Sequence, residues 1–268
     1  MCCLSKPCPP FGRAGEFVAS ALSETHTIDQ LIDTVDPKIL DLPILILPPP
    51  PELRLNSPAP HQPAIELKAQ SNLPTEFGKV RLMVFHASGS TDDHLAIVVG
   101  DVSDQTEVLV RLHSECITGD LLGSLRCDCG EQFTASRRLI HEAGRGVILY
   151  LRQEGRGIGL VDKLRAYELQ DDGMDTVEAN LAIGHQADAR DYGVGASILN
   201  HLGVRSVRLL TNNPDKIDQL ERYGVPVVER VPLQPTPREE NLRYLATKVE
   251  SMRHDIKLPG LNTRTKAD

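Results

Sequence analysis

The chain has no tryptophan, only five phenylalanines and five tyrosines, and no excess of basic charge. So few rings, with a formal net charge of −8 and a pI near 5.6, argue against a surface built to stack on or neutralise nucleic acid. An anionic ligand would need local basic residues. Long apolar runs are also missing. The longest, Ile39 to Pro48, is interrupted by Asp41 and is too short to span a bilayer, so no membrane partner is expected. The start, Met1-Cys2-Cys3-Leu4-Ser5-Lys6, lacks the basic flank and apolar stretch of a secretory signal. Six cysteines in 268 residues, three near the start and three crowded at 116, 127 and 129, do not read as a disulfide scaffold. A reducing, cytoplasmic setting is expected.

Hydrophobic residues make up 40% and charged residues 25%, an ordinary globular balance. Their distribution is uneven. Residues 1–74 hold 13 of 19 prolines but only 2 of 20 glycines. This predicts a proline-rich, poorly ordered extension over 1–72, a main domain over 73–255, and a tail over 256–268. Within the extension, Thr25 to Val35 could form a helix, Pro48 to Pro51 reads as extended linker, and Ile39 to Leu47 could dock in an apolar groove.

The main domain reads as α/β with a mixed sheet. Strands are expected at Lys79–His86, His94–Val99, Thr106–His113, Val147–Leu151, Val204–Leu210 and Val225–Val228. Helices are expected at Gly130–Ala143, on the apolar face of Ile158, Val161 and Leu164, on that of Ile198, Leu199 and Leu202, after the Asn213-Pro214 cap, and at Arg238–Met252.

Four stretches carry chemistry. Cys116-x10-Cys127-Asp128-Cys129 offers three thiolates. Three thiolates on zinc leave one tetrahedral position open for a water whose pKa falls to about 7. A closed site with His113 as fourth ligand is the competing reading. Gln153 to Gly159 is a glycine-rich turn between a strand and a helix, flanked by Arg152, Arg156 and Lys163, where backbone amides could cradle phosphate. It matches neither a Walker loop nor a dinucleotide fingerprint, and a plain tight turn explains it equally well. Asp188 and Arg190 precede a helix, and could be a base and a phosphate ligand or simply a surface ion pair. Leu210-Thr-Asn-Asn-Pro-Asp-Lys216 stands at a strand end, where ligands gather in α/β sheets, or is a capped turn. Together they suggest zinc-assisted hydrolysis of a phosphorylated substrate.

In sequence these stretches resemble the GTP cyclohydrolase II family. The runs are Arg111-Leu-His-Ser-Glu-Cys-Ile-Thr-Gly-Asp120, Ser124-Leu-Arg-Cys-Asp-Cys-Gly130, Arg152-Gln-Glu-Gly-Arg156, Lys163-Leu-Arg-Ala-Tyr167, Asp175-Thr-Val-Glu-Ala-Asn180 and Leu209-Leu-Thr-Asn-Asn-Pro214. The resemblance extends from Leu73 to about Met252. It implies hydrolysis of GTP with release of formate and pyrophosphate, giving 2,5-diamino-6-hydroxy-4-(5-phosphoribosylamino)pyrimidine, the step that opens riboflavin biosynthesis. It implies Zn²⁺ on Cys116, Cys127 and Cys129, Mg²⁺ with the triphosphate, and a homodimer. Asp188 takes the place of the family's proton acceptor. Arg190 takes that of a nucleophile, although a guanidinium is better suited to stabilising charge. Substrate contacts carry over to Arg111, Leu112, His113, Ser114 and Glu115, to Gln132, to Glu154, Gly155 and Arg156, and to Tyr167, Thr176, Thr211 and Lys216. Two departures stand out. The extension has no counterpart in the family pattern, and residue 157 is Gly where Asn is also familiar. A paralogue that keeps the triphosphate and a nucleotide-binding regulator without turnover are the competing functions.

Overall fold

The structure, a computed structural model, describes residues 61–185 and 190–259, apart from the side chain of Thr176. The expectations for Thr25–Val35, Ile39–Leu47 and Pro48–Pro51 lie outside the described residues.

Seven strands form one mixed sheet in the order β1-β2-β3-β5-β4-β6-β7. The first three, β1 (Ile65–Thr75), β2 (Gly78–Ala87) and β3 (Asp93–Val99), form an antiparallel meander. β3 also pairs antiparallel with β5 (Gly146–Leu151). From there β5, β4 (Val108–Ser114), β6 (Val207–Leu210) and β7 (Val227–Val231) run parallel. The patterning explains the difference. β2 alternates buried and less buried positions along its second half. β5 is apolar and β4 is buried almost throughout despite carrying Arg111 and His113, as strands covered on both faces must be. Along β5, Val147, Leu149 and Leu151 enter one core with Leu112, Ile198 and Leu199, while Ile148 enters a second with Ile140 and Leu210.

Among the described residues, seven α-helices connect and cover these strands: α1 (Ile117–Asp120), α2 (Cys129–Glu142), α3 (Gly159–Asp171), α4 (Thr176–Ala182), α5 (Gly193–His201), α6 (Pro214–Arg222) and α7 (Glu239–Glu250). Asn213 caps α6, accepting from the Asp215 amide at 3.0 Å with Pro214 in the first turn, as expected. Strands β6 and β7 begin later than the valine runs suggest. In Gly203-Val204 and Gly224-Val225 the glycine takes a positive φ of 74° and 81°. Each valine amide then bonds back to the helix, Val204 to Leu199 O and Val225 to Leu220 O. Both valines therefore close Schellman motifs before any strand pairing starts.

The boundaries of the main domain also move. β1 begins at Ile65, inside the segment assigned to the extension, and pairs with β2 along its whole length. Ile65 and Leu67 pack on the main core, Ser197 donates to Pro63 O at 2.8 Å, and Asn200 donates to Gln62 at 3.0 Å. The strand escapes notice in the sequence because it is an edge: Lys68, Gln70, Ser71 and Asn72 are all exposed. At the other end, Ile256 and Leu258 are buried against Leu245, so the start of the expected tail belongs to the body. The face of α3 differs too. Val161 and Leu164 are exposed, while Lys163 and Ala166 turn inward.

Candidate active site

The carboxyl ends of β4, β5 and β6 open onto one cleft, located where α/β sheets bind ligands. Cys116 follows β4, and Cys127 and Cys129 stand at the start of α2. Their sulfurs all lie within 4.8 Å of one another, with Cys116 and Cys127 3.7 Å apart. A tetrahedral zinc with Zn–S bonds of about 2.3 Å has sulfur–sulfur edges of about 3.8 Å, so the trio fits such an ion. Two glycines allow this convergence. A Cβ on Gly119 would meet Cys127 Sγ at 3.0 Å and Cys116 Sγ at 3.2 Å. A Cβ on Gly130 would meet Gly119 O at 2.2 Å.

His113 does not complete a closed site. Its Nε2–H donates to Asp120 at 2.9 Å, and its ring stacks on Tyr150 at 5.5 Å. Burial holds the imidazole below its ordinary pKa despite Asp120. Asp120 also accepts from the Tyr150 hydroxyl and the Cys116 amide, both at 3.0 Å, and so fixes the cysteine loop. Among the described residues, the three cysteines are the group placed to hold a metal ion.

The glycine-rich turn joins the thiol cluster. Glu154, buried, accepts from the Ile117 amide at 2.7 Å and from Lys163 at 2.7 Å. The Lys163 ammonium lies 3.1 Å from Cys116 Sγ. Burial works against this ammonium, but Cys116 and Glu154 outweigh it and hold the amine above its ordinary value. The Cys116 thiol is pushed well down, chiefly by hydrogen bonds from Cys127 and Cys129 and with Lys163 assisting, so a thiolate is favoured there. Gly155, Arg156, Gly157 and Gly159 all take positive φ. At Gly157, φ is 95°, a backbone conformation that favours glycine.

Across the cleft a hydrogen-bonded chain ties distant elements. Arg111 donates to Leu210 O at 2.9 Å and to Gln132, Gln132 donates to Asp128 at 2.6 Å, and Asp128 pairs with Lys248 of α7 at 2.5 Å. Lys216 donates to Leu112 O at 2.7 Å.

Of the residues singled out in the sequence, Arg111, His113, Ser114, Glu115, Gln132, Glu154, Gly155, Arg156, Tyr167, Arg190, Thr211, Lys216 and the three cysteines line this one cleft. Leu112 does not: its side chain enters the core, because strand alternation turns it away from Arg111 and His113. Thr176 begins α4, and Asp188 lies outside the described residues. Sequence reasoning missed the wall formed by Tyr244, Lys248, Met252 and His254. The available signal was Lys248, three residues after Leu245 and therefore on the buried face of α7.

A family model described as GTP cyclohydrolase II matches residues 66–232. The chain belongs to the GTP cyclohydrolase II family. A GTP cyclohydrolase-2 of Histophilus somni is 53% identical over 192 residues, 72% of this chain and 89% of that protein. A riboflavin biosynthesis protein RibBA of Chlorobium phaeovibrioides is 55% identical over 192 residues, 72% of this chain and 47% of its own. The chain thus spans about half the length of the RibBA relatives it matches. A solved two-domain 3,4-dihydroxy-2-butanone 4-phosphate synthase, RibBX of A. baumannii, aligns with 65% of this chain and 41% of its own, at 26% identity and a TM-score of 0.41. The family match stops before α7, so the wall carrying Lys248 and His254 lies beyond it. Among the described residues, no helix is long and apolar enough to cross a membrane.

Proposed function

We propose that this chain is a zinc-dependent GTP cyclohydrolase II: it opens the imidazole ring of GTP, releases formate and pyrophosphate, and leaves the pyrimidine precursor of riboflavin. The observation that carries this is the meeting of three cysteine sulfurs with Arg111, Arg156, Arg190, Lys163 and Lys216 in one cleft. Thiolates suit zinc, and the cationic walls suit a triphosphate.

Cys116, Cys127 and Cys129 would hold zinc, which would supply Lewis acidity and, at neutral pH, a nucleophile. The chain's own groups do the rest. Lys163 offsets part of the negative charge of the thiolates, and Glu154 holds Lys163 and the Ile117 amide so that the loop stays in register. Arg190, Arg156 and Lys216 stabilise charge on the phosphates as pyrophosphate leaves. Tyr167 offers a ring beside the thiols for the base, and Thr176 and Thr211 are kept as substrate contacts. Asp188 is assigned proton transfer during ring opening, worth about 10²–10⁴-fold. Mg²⁺ arrives with the triphosphate.

The working unit is proposed to be a homodimer. Leu121 and Leu122 of the cysteine loop are 78% and 71% exposed, and Val161 on α3 is 64% exposed, apolar side chains that a second copy would cover.

Product analysis with GTP, Zn²⁺ and Mg²⁺ tests the reading. Equal yields of formate and pyrophosphate are expected. Formate without pyrophosphate identifies a paralogue that keeps the triphosphate, and nucleotide binding with neither product identifies a regulator.

A further inference from the structure

The segment after α7 crosses the rim of the cleft and is pinned from several sides. The His254 amide donates to Lys248 O at 2.9 Å, and the Asp255 amide donates to Asn212 O at 2.9 Å, beside the end of β6. Arg230 of β7 pairs with Asp255, and Gln234 donates to Lys257 O at 2.7 Å. Ile256 and Leu258 are anchored against Leu245. This fixes the backbone on both sides of His254, a residue that lines the cleft.

Neither ring nitrogen of His254 has a hydrogen-bond partner among the described residues, and both are buried. A buried polar atom left unpaired is costly, so a position built this rigidly around two of them calls for a partner. The surroundings name its charge. Lys248 from α7, Arg190 from the loop before α5, Lys216 from α6 and Arg156 from the glycine turn all bear on the ring, after burial itself, and push its pKa down to about 2. The imidazole is therefore neutral at working pH, with one N–H donor and one acceptor. Four basic side chains bear on a neutral donor here, a setting suited to the polyphosphate of a nucleotide.

We propose that His254 is a substrate-binding residue whose imidazole N–H donates a hydrogen bond to a phosphate oxygen of the bound nucleoside triphosphate. The assignment rests on the GTP reading above, and it makes the segment after α7 part of the substrate site. A neutral donor adds recognition there without adding a fifth positive charge to a crowded cationic wall.

The test compares the full chain with its His254→Ala, His254→Asn and His254→Gln variants. Binding of inorganic tripolyphosphate and of guanosine is followed by titration calorimetry, alongside KM and kcat for GTP. Replacement by Ala should weaken tripolyphosphate about tenfold, near what one hydrogen bond to a charged group contributes. KM for GTP should rise by a similar factor and kcat should change much less. Guanosine affinity, bound zinc and thermal midpoint should stay at parental values, and at least one of the two amide variants should recover most of the loss. Unchanged tripolyphosphate binding by the Ala variant would overturn the proposal, and so would equal loss of tripolyphosphate and guanosine. A parental chain that binds tripolyphosphate through His254 but releases no formate from GTP would sink the cyclohydrolase reading and leave this one standing.

Discussion

Gly119 has little room for a side chain, since the nearest neighbours of an added Cβ are Cys127 Sγ, Cys129 Cβ and Cys116 Sγ at 3.0 to 3.2 Å and would have to give way by a few tenths of an ångström. Gly119→Ala should spread the thiolates without touching the core. We expect metal affinity to fall about 10–100-fold, the usual effect of disturbing the support of a metal site, measured by competition with a chromogenic chelator. Cys127→Ser should lose metal and formate release together yet keep its far-ultraviolet dichroism, because neither large core cluster contains a cysteine. Unfolding of that variant would mean that the metal is structural. His94 gives a prediction about pH. Burial, before the opposing pull of Asp92 and Asp93, holds its pKa below the ordinary 6.5, and its Nδ1 accepts from the Arg152 amide at 3.1 Å. The unfolded chain takes up a proton below about pH 6.5 that the folded imidazole refuses, so this contribution to stability is full above that pH and is lost as pH falls. His94→Asn keeps an acceptor that does not titrate. Its urea midpoint should drop less between pH 7.5 and 5.5 than the parental midpoint does. At this scale the cysteines were legible because three thiols in 14 residues have few other uses. Lys248 and His254 were not, since Lys248 reaches Asp128 across 120 residues of sequence.

Elements with strong periodicity or buried apolar runs were readable: β2 to β5, α2, α5, and α6 with its Asn213 cap. Three others were hidden for identifiable reasons. β1 is an exposed edge with polar side chains on both faces. α4 is announced by a capping box between Asp175 and Glu178 rather than by an apolar stripe. α3 reads as amphipathic on its apolar residues, but its inward side is set by the Lys163 ion pair with Glu154 and its contact with Cys116. The position of β1 changes where the chain can be cut. A chain starting at His61 should keep the parental thermal midpoint and activity. One starting at Gln70 loses Ile65, Leu67 and four of the ten residue pairs with β2, and should melt lower by more than the ~2–4 °C that 1 kcal/mol produces in a domain of this size. Equal midpoints for the two would show that β1 adds nothing to the fold.

At the scale of the whole molecule, a net charge of −8 coexists with a cleft lined by several arginines and lysines, so bulk charge hides a locally basic site that local motifs point to. The mixed sheet was legible as a class. Its strand order was not, because β4 slots between β5 and β6 through contacts that no local pattern encodes. Leu121→Asp with Leu122→Asp should shift the proposed dimer toward monomer in sedimentation equilibrium, and a parental chain that is already monomeric would remove that part of the account. The central claim concerns the carbon that zinc and this cleft are proposed to expel. GTP carrying ¹³C at C8, incubated with the full chain and followed by ¹³C NMR, should yield labelled formate and pyrophosphate in equal amounts, none after chelator treatment, and full recovery when Zn²⁺ is restored. Label that stays in the nucleotide under the zinc-loaded condition would contradict the account.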